Sequence, residues 1–200
     1  AIQALIQFLK YRECTQLPDE RVDPSLLVEE CLRCFLGLRE ALADNDVNLI
    51  VGLSLLYNMN GDSEQSLTLL NSIPQSSLPD GHQRRAVLNR RGALHANHGD
   101  YATALNLYDH VIAERPESVR AYYNRGVSLF NGADYNAAIA ALATALTFQS
   151  TPPEGARMRE DVRSGLWHVW DMLRLACEMA GNAELTAAAR LHDITPFRQL

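Results

Sequence analysis

The chain has 200 residues, enough to bury a real core, and 47% of them are hydrophobic against 21% charged, so it is a folding chain rather than a disordered one. Its net charge of -6 argues against a nucleic-acid partner, which would need clustered lysine and arginine, and no apolar run approaches the ~18 residues of a membrane span. Lys10 is the only lysine, so the positive charge is almost all arginine, whose planar fork suits a carboxylate.

Alanine and leucine dominate, while proline and glycine are modest, which predicts an all-α protein. Ala1–Lys10 reads as helix, with Ile2, Leu5, Ile6 and Leu9 at helical spacing. We expect it to be the cut end of an upstream repeat, over residues 1–16. Pro18–Pro24 is a charged linker, and Pro24–Ala43 reads as one long helix, an irregular repeat over residues 17–43. Within it Cys31 and Cys34 form a CxxC, with Leu27, Leu32, Phe35 and Leu38 around them. No second CxxC follows and zinc wants four ligands, so these are expected to be helix cysteines rather than a metal or redox pair.

Asp46–Asn58 and Ser63–Ile73 are the next helices, joined by a turn at Gly61-Asp62. Pro74, Pro79 and Gly81 then break the chain. Residues 44–84 are expected to be a degenerate repeat with its linker. His95 and His98 lie three apart near a loop entry. No carboxylate partner is evident for them, and a plain surface role is expected.

A period emerges between Leu88–Pro116 and Tyr122–Ser150. Arg91-Gly92 returns as Arg125-Gly126, Asn97 as Asn131, Asp100-Tyr101 as Asp134-Tyr135, and Ala104 as Ala138, all offset by 34 residues. That period with this pattern is the signature of the tetratricopeptide repeat, two antiparallel helices per unit. Gly92 and Gly126 are placed where a side chain would block the neighbouring helix, and Ala104 and Ala138 where only a small one fits. Gly99-Asp100 makes the turn and Pro116 closes the first unit. Residues 85–118 and 119–150 are thus two repeats. Residues 151–200 comprise a loop, a long amphipathic helix over Arg159–Met179 and a short helix over Ala183–Leu191. Trp167 and Trp170 on the long helix are expected to be packing anchors more than ligand contacts. The expected architecture is a tetratricopeptide-repeat superhelix, an α-α solenoid, with a C-terminal helical bundle.

In such a superhelix the first helix of each unit lines the inner surface. Arg120, Asn124 and Asn131 fall within ~40° of one another on the second of these helices, a single polar stripe. Arg90 and Asn97 make the matching stripe on the first, with Asn89 beside it. Asparagine is a mediocre helix former, so its recurrence inside helices asks for a reason. Its amide offers a donor and an acceptor together and so brackets a peptide bond, while arginine suits a terminal carboxylate. A solvated or packing role for the same asparagines stays open at this point.

Val119-Arg120-Ala121-Tyr122-Tyr123-Asn124-Arg125-Gly126-Val127-Ser128, continuing to Asn131, resembles the last full repeat of the peroxisomal targeting signal type 1 receptors. The resemblance continues through Ala141–Gln149, Trp170-Asp171-Met172-Leu173-Arg174-Leu175-Ala176 and Ala187-Ala188-Ala189-Arg190. Upstream, Gly52-Leu53 to Asn58 with Gly61-Asp62 is similar to the fifth repeat, Leu88-Asn89-Arg90 to Asn97 to the sixth, and Ala1–Glu13 to the end of the third. It is weakest over Cys14–Ala43. The resemblance implies a receptor for cargo ending in Ser-Lys-Leu or a similar tripeptide, cytoplasmic and cycling to the membrane of peroxisomes or of relatives such as glycosomes. It further implies that Asn89, Asn97, Asn124 and Asn131, with Arg120, contact the peptide backbone and its carboxylate. No catalytic residue, metal or cofactor is implied, and docking proteins at the membrane would be met through segments outside this chain. Asp171 stands where the family has serine, and Arg91 and Arg125 replace the usual repeat residues. Two other classes remain: an adaptor of different specificity, such as a chaperone-tail clamp, which would want lysine-rich positions, and a structural scaffold.

Overall fold

A computed structural model describes residues 24–41, 47–74, 78, 81–150 and 160–199. The helix read over Ala1–Lys10, the linker before Pro24 and the loop that follows Ser150 lie outside these. Among the described residues every regular element is helical: α1 (Pro24–Ala41), α2 (Val47–Met59), α3 (Ser63–Asn71), α4 (His82–Asn97), α5 (Tyr101–Glu114), α6 (Val119–Asn131), α7 (Tyr135–Ser150), α8 (Glu160–Met179), α9 (Ala183–Arg190) and a 3-10 turn at Thr195–Gln199. The expected all-α repeat fold is what is found. The chain divides into two compact units that meet within α4, one ending at Val87 and the other beginning at Leu88.

One turn joins the helices of every hairpin. A residue with positive φ follows the first helix, at Gly61, Gly99, Ala133 and Gly181 (φ +83°, +79°, +64° and +72°). The next residue, Asp62, Asp100, Asp134 or Asn182, returns its backbone N–H to a carbonyl of the last helical turn at 2.9–3.0 Å. Its side chain then accepts from the backbone N–H three residues on, at Gln65, Thr103, Ala137 or Leu185 (3.0–3.2 Å). A left-handed stop for one helix and a side-chain cap for the next are thereby built from two adjacent residues. Of these four turn residues, Ala133 alone carries a Cβ in the left-handed conformation, where L-residues are strained. The turn also places α8 and α9 in the same class as the repeats, although the 34-residue period has lapsed by then.

Packing in the hairpins is governed by small residues at matched places. A Cβ on Gly92 would lie 2.5 Å from the Tyr108 ring, and one on Gly126 would lie 2.6 Å from Leu142 Cγ. Ala104 and Ala138, four residues past each cap, are fully buried. Counting from the cap in the α2–α3 hairpin shows a different solution. The places of Gly126 and Ala138 are held by Ser54 and Ser66, both 0% exposed. Their hydroxyls lie 2.9 Å apart, and Ser66 Oγ also donates to the Ser54 carbonyl at 2.7 Å. Gly52, which resembles a repeat glycine in sequence, instead faces backward, its missing Cβ 2.6 Å from the Phe35 ring of α1.

The larger core of the second unit joins α6, α7, α8, α9 and the 3-10 turn through Leu142, Leu146, Leu173, Ala176, Cys177 and Phe197. Trp170 packs at its edge and stacks on His192, ring centroids 5.1 Å apart, which fits the packing role expected of it. Cys31 is buried in α1 while Cys34 is exposed, and both are free thiols.

Candidate functional site

The first helices of the two clear repeats, α4 and α6, are brought side by side by a small apolar seam of Leu88, Val111 and Ala121. Leu88 precedes Asn89 and Arg90, and Ala121 follows Arg120, so the residues flanking the seam on each helix are polar. The result is a contact across successive repeats: Asn124 Nδ2 donates to Asn89 Oδ1 at 3.2 Å, with both residues half-buried. Each amide has a donor pair and an acceptor, and this bond uses only one donor of Asn124 and the carbonyl of Asn89. The Asn89 amino group and the Asn124 carbonyl are hydrogen-bonded to no other side chain among the described residues.

Arg90 follows Asn89 on α4, and Arg120 lies four residues before Asn124 on α6. Arg90 Nη1 is buried with no hydrogen-bond partner. Burial, and secondarily the Arg120 charge, lower the Arg90 pKa to about 10. Arg120 itself is exposed. By contrast Arg125, the neighbour one residue past Asn124, donates through Nε to Asp109 Oδ1 at 3.0 Å and so ties α5 to α6. Arg91 is half-buried, and desolvation lowers its pKa.

Of the five residues singled out in sequence, Asn89 and Asn124 are brought together and Arg120 lies within the field of Arg90. Asn97 and Asn131 end α4 and α6, both exposed, and neither makes a side-chain hydrogen bond among the described residues. Arg90 belongs to the site more firmly than its place in the stripe suggested. The available signal was its spacing of seven from Asn97; its burial was not legible.

The two histidines correct one expectation. His95 does have a carboxylate partner: its Nδ1 lies 3.1 Å from Asp100 Oδ2. The hairpin turn brings the capping aspartate back over the last turn of α4. Backbone and side-chain bonds from Thr103, then His95, hold the Asp100 carboxyl below the usual range. His98 Nδ1 bonds the Leu94 carbonyl at 2.7 Å instead. Among the described residues no three His, Cys, Asp or Glu side chains converge as a metal site, and no helix is long and apolar enough to cross a membrane.

Comparison with known proteins agrees with this architecture. Residues 89–154 match the tetratricopeptide repeat model. The chain is 30% identical over 149 residues to a peroxisomal targeting signal receptor of Eremothecium gossypii, a match spanning 74% of this chain and 25% of that protein. A receptor of the same name from Kluyveromyces lactis is 27% identical over 141 residues, 69% of this chain and 24% of its own length. The chain thus spans about a quarter of the length of these relatives. Among solved structures, MamA from Desulfovibrio magneticus RS-1 superposes with a TM-score of 0.64 at 16% identity, covering 100% of this chain and 97% of MamA. A chain of the Cut9-Hcn1 hetero-tetramer of the APC/C gives 0.65 at 15% identity, over 84% of this chain and 30% of its own. The structural likeness is one of fold; the sequence likeness is to targeting-signal receptors. This chain carries tetratricopeptide repeats.

Proposed function

We propose that this chain is the peptide-binding module of a receptor that captures proteins by a C-terminal Ser-Lys-Leu-type targeting signal, in which Asn89, Asn97, Asn124, Asn131 and Arg120 hold the peptide. The observation that carries this reading is the Asn89–Asn124 amide pair between successive repeats, with Nη1 of the neighbouring Arg90 buried and without a hydrogen-bond partner. Its free amide edges match the donor and acceptor of a peptide bond regardless of side chain, and the arginines match the terminal carboxylate. The relatives named as peroxisomal targeting signal receptors support the same reading. In this reading residues 85–118 and 119–150 are the groove-lining repeats. Residues 1–16, 17–43 and 44–84 are the end of an upstream repeat and two irregular ones. The receptor works in the cytosol, cycles to the peroxisomal or glycosomal membrane, and meets docking proteins through segments outside this chain.

The mechanism is capture without chemistry. Hydrogen bonds to a charged end are worth about 1.5–3 kcal/mol each when made and more when left unmade in a desolvated groove. An extra residue after the signal would move the carboxylate away from Arg90 and Arg120 and strand them. Titration with a Ser-Lys-Leu-ended peptide and with its C-terminal amide tests this. The free acid is expected to bind at least tenfold more tightly, a difference of about 1.4 kcal/mol. Asn124→Ala is expected to weaken it by at least about 1 kcal/mol. Equal binding of acid and amide would instead favour a tetratricopeptide adaptor of other specificity.

A further inference from the structure

Each of the two clear repeats puts a tyrosine ring directly after its cap, Tyr101 after Asp100 and Tyr135 after Asp134. The Tyr135 ring meets Phe130, which stands four residues before the cap, edge to face with centroids 5.5 Å apart. The Tyr101 ring reaches the end of α6, 3.6 Å from where a Cβ on Gly132 would lie. Counted from the Asn182 cap of the α8–α9 hairpin, the places of Tyr135 and Phe130 are held by Ala183 and Glu178. Both line an open pocket of about 380 Å³, together with Asn182, Thr186, Ala187 and Arg190. Where the preceding hairpin holds two rings, the last hairpin therefore holds a methyl group, a carboxylate and space. Glu178 accepts from Arg174 Nη1 at 2.9 and 3.0 Å and from Arg190 Nη2 at 2.8 Å. Two guanidiniums on one carboxylate leave that triad one positive charge in excess. Arg190 is exposed, and its Nε and Nη1 make no hydrogen bond among the described residues.

We propose that this pocket is a docking site for a tyrosine side chain of a partner polypeptide, with a carboxylate next to that tyrosine in the partner's sequence. The partner's ring supplies what Tyr101 and Tyr135 supply within the repeats. The volume is at the small end of ligand sites, which suits one side chain. Ala183 and Ala187 offer methyl groups to the ring, and the Arg190 guanidinium offers a cation for its face. Asn182 spends its carbonyl on the cap at Leu185 and keeps its amino group to donate to the tyrosine hydroxyl. The excess positive charge of the triad complements the neighbouring carboxylate and orients the incoming segment. The proposal stands on the last hairpin alone and does not rest on the targeting-peptide reading.

The test uses the 200-residue chain, isotope-labelled for amide NMR, with the blocked tetrapeptide acetyl-Gly-Asp-Tyr-Gly-amide. Shifts are expected at Ala183, Ala187 and Arg190. The Kd should be at least about fivefold lower than for the same peptide with alanine in place of tyrosine. Asparagine in place of aspartate should weaken binding at low salt and matter little at high salt. Ala183→Tyr supplies the ring from within, so it should raise the melting temperature and abolish the shifts. Ala183→Ser leaves the space open and should keep them. Arg190→Gln should weaken binding by about threefold. Both positions are exposed, and far-ultraviolet circular dichroism checks that the variants fold. Equal Kd values for the tyrosine and alanine peptides, or shifts that survive Ala183→Tyr, overturn the site. A tyrosine preference indifferent to the aspartate removes the carboxylate from the proposal. Both peptide ends are blocked, so no terminal carboxylate is present and the result is independent of the Ser-Lys-Leu titration.

Discussion

The α2–α3 and α6–α7 hairpins share a turn, a cap and a helix spacing, yet they close the gap between their helices by different chemistry. In α6–α7 the contact is Gly126 under Leu142 with Ala138 alongside, an apolar surface with no atom to spare. In α2–α3 the same places hold Ser54 and Ser66, whose hydroxyls bond each other and the Ser54 carbonyl. Close packing is unforgiving of added volume but carries no polar debt. The serine pair tolerates a Cβ on both sides and is penalised when one hydroxyl is lost without the other. A repeat can therefore drift from its consensus when two positions change together.

Substitutions that exchange these solutions test the contrast. The largest effect is expected from Gly126→Val, which drives a branched side chain into Leu142 Cγ. We expect a loss of about 3 kcal/mol or more, read as a lower urea midpoint with unchanged m-value. Ser66→Ala comes next, since it strips the Ser54 hydroxyl of its buried partner, for about 1–3 kcal/mol. The double variant Ser54→Ala with Ser66→Ala should recover most of that loss, because removing both groups leaves nothing unsatisfied. A double-mutant cycle with no recovery would show that the pair is not a coupled unit. Smaller still is Ala133→Gly. It gives the α6–α7 turn the residue that the other three hairpins have and is expected to stabilise by about 1 kcal/mol, raising the melting temperature by a few degrees. The smallest effect concerns the α8–α9 hairpin. Hydrogen bonds from Arg190, then Arg174, hold the Glu178 carboxyl below the usual range. A carboxyl depressed in the folded state stabilises above its unfolded pKa, and that contribution is lost as pH falls through the folded value. Glu178→Gln should therefore flatten the acid limb of the stability curve and leave neutral pH nearly unchanged.

Legibility followed the physics of each feature. The helices of the two clear repeats could be placed because their glycine, alanine and capping aspartate recur at one offset, each with a local steric or hydrogen-bonding reason. Gly52 was silent on its neighbour because a glycine in a helix says that something comes close without saying what; here it is Phe35 of α1 and not the partner helix of the hairpin. His95 lacked a visible partner because Asp100 becomes one only when the turn folds back. The α8–α9 hairpin was hidden as a repeat because its period is broken and its cap is Asn182 rather than aspartate.

From the chain of residues alone came the all-helical class, the 34-residue unit, the turns and the polar stripe, since all of these depend on spacing along one helix or across one hairpin. Tertiary structure alone decided which members of the stripe meet. Asn89 and Asn124 touch, Asn97 and Asn131 are exposed, and Arg90 is the half-buried cation, with Nη1 out of solvent, while Arg120 is exposed. The reason is that burial and pairing across repeats are set by how α4 and α6 seat on the Leu88–Val111–Ala121 seam, a three-body contact that no single-helix periodicity encodes.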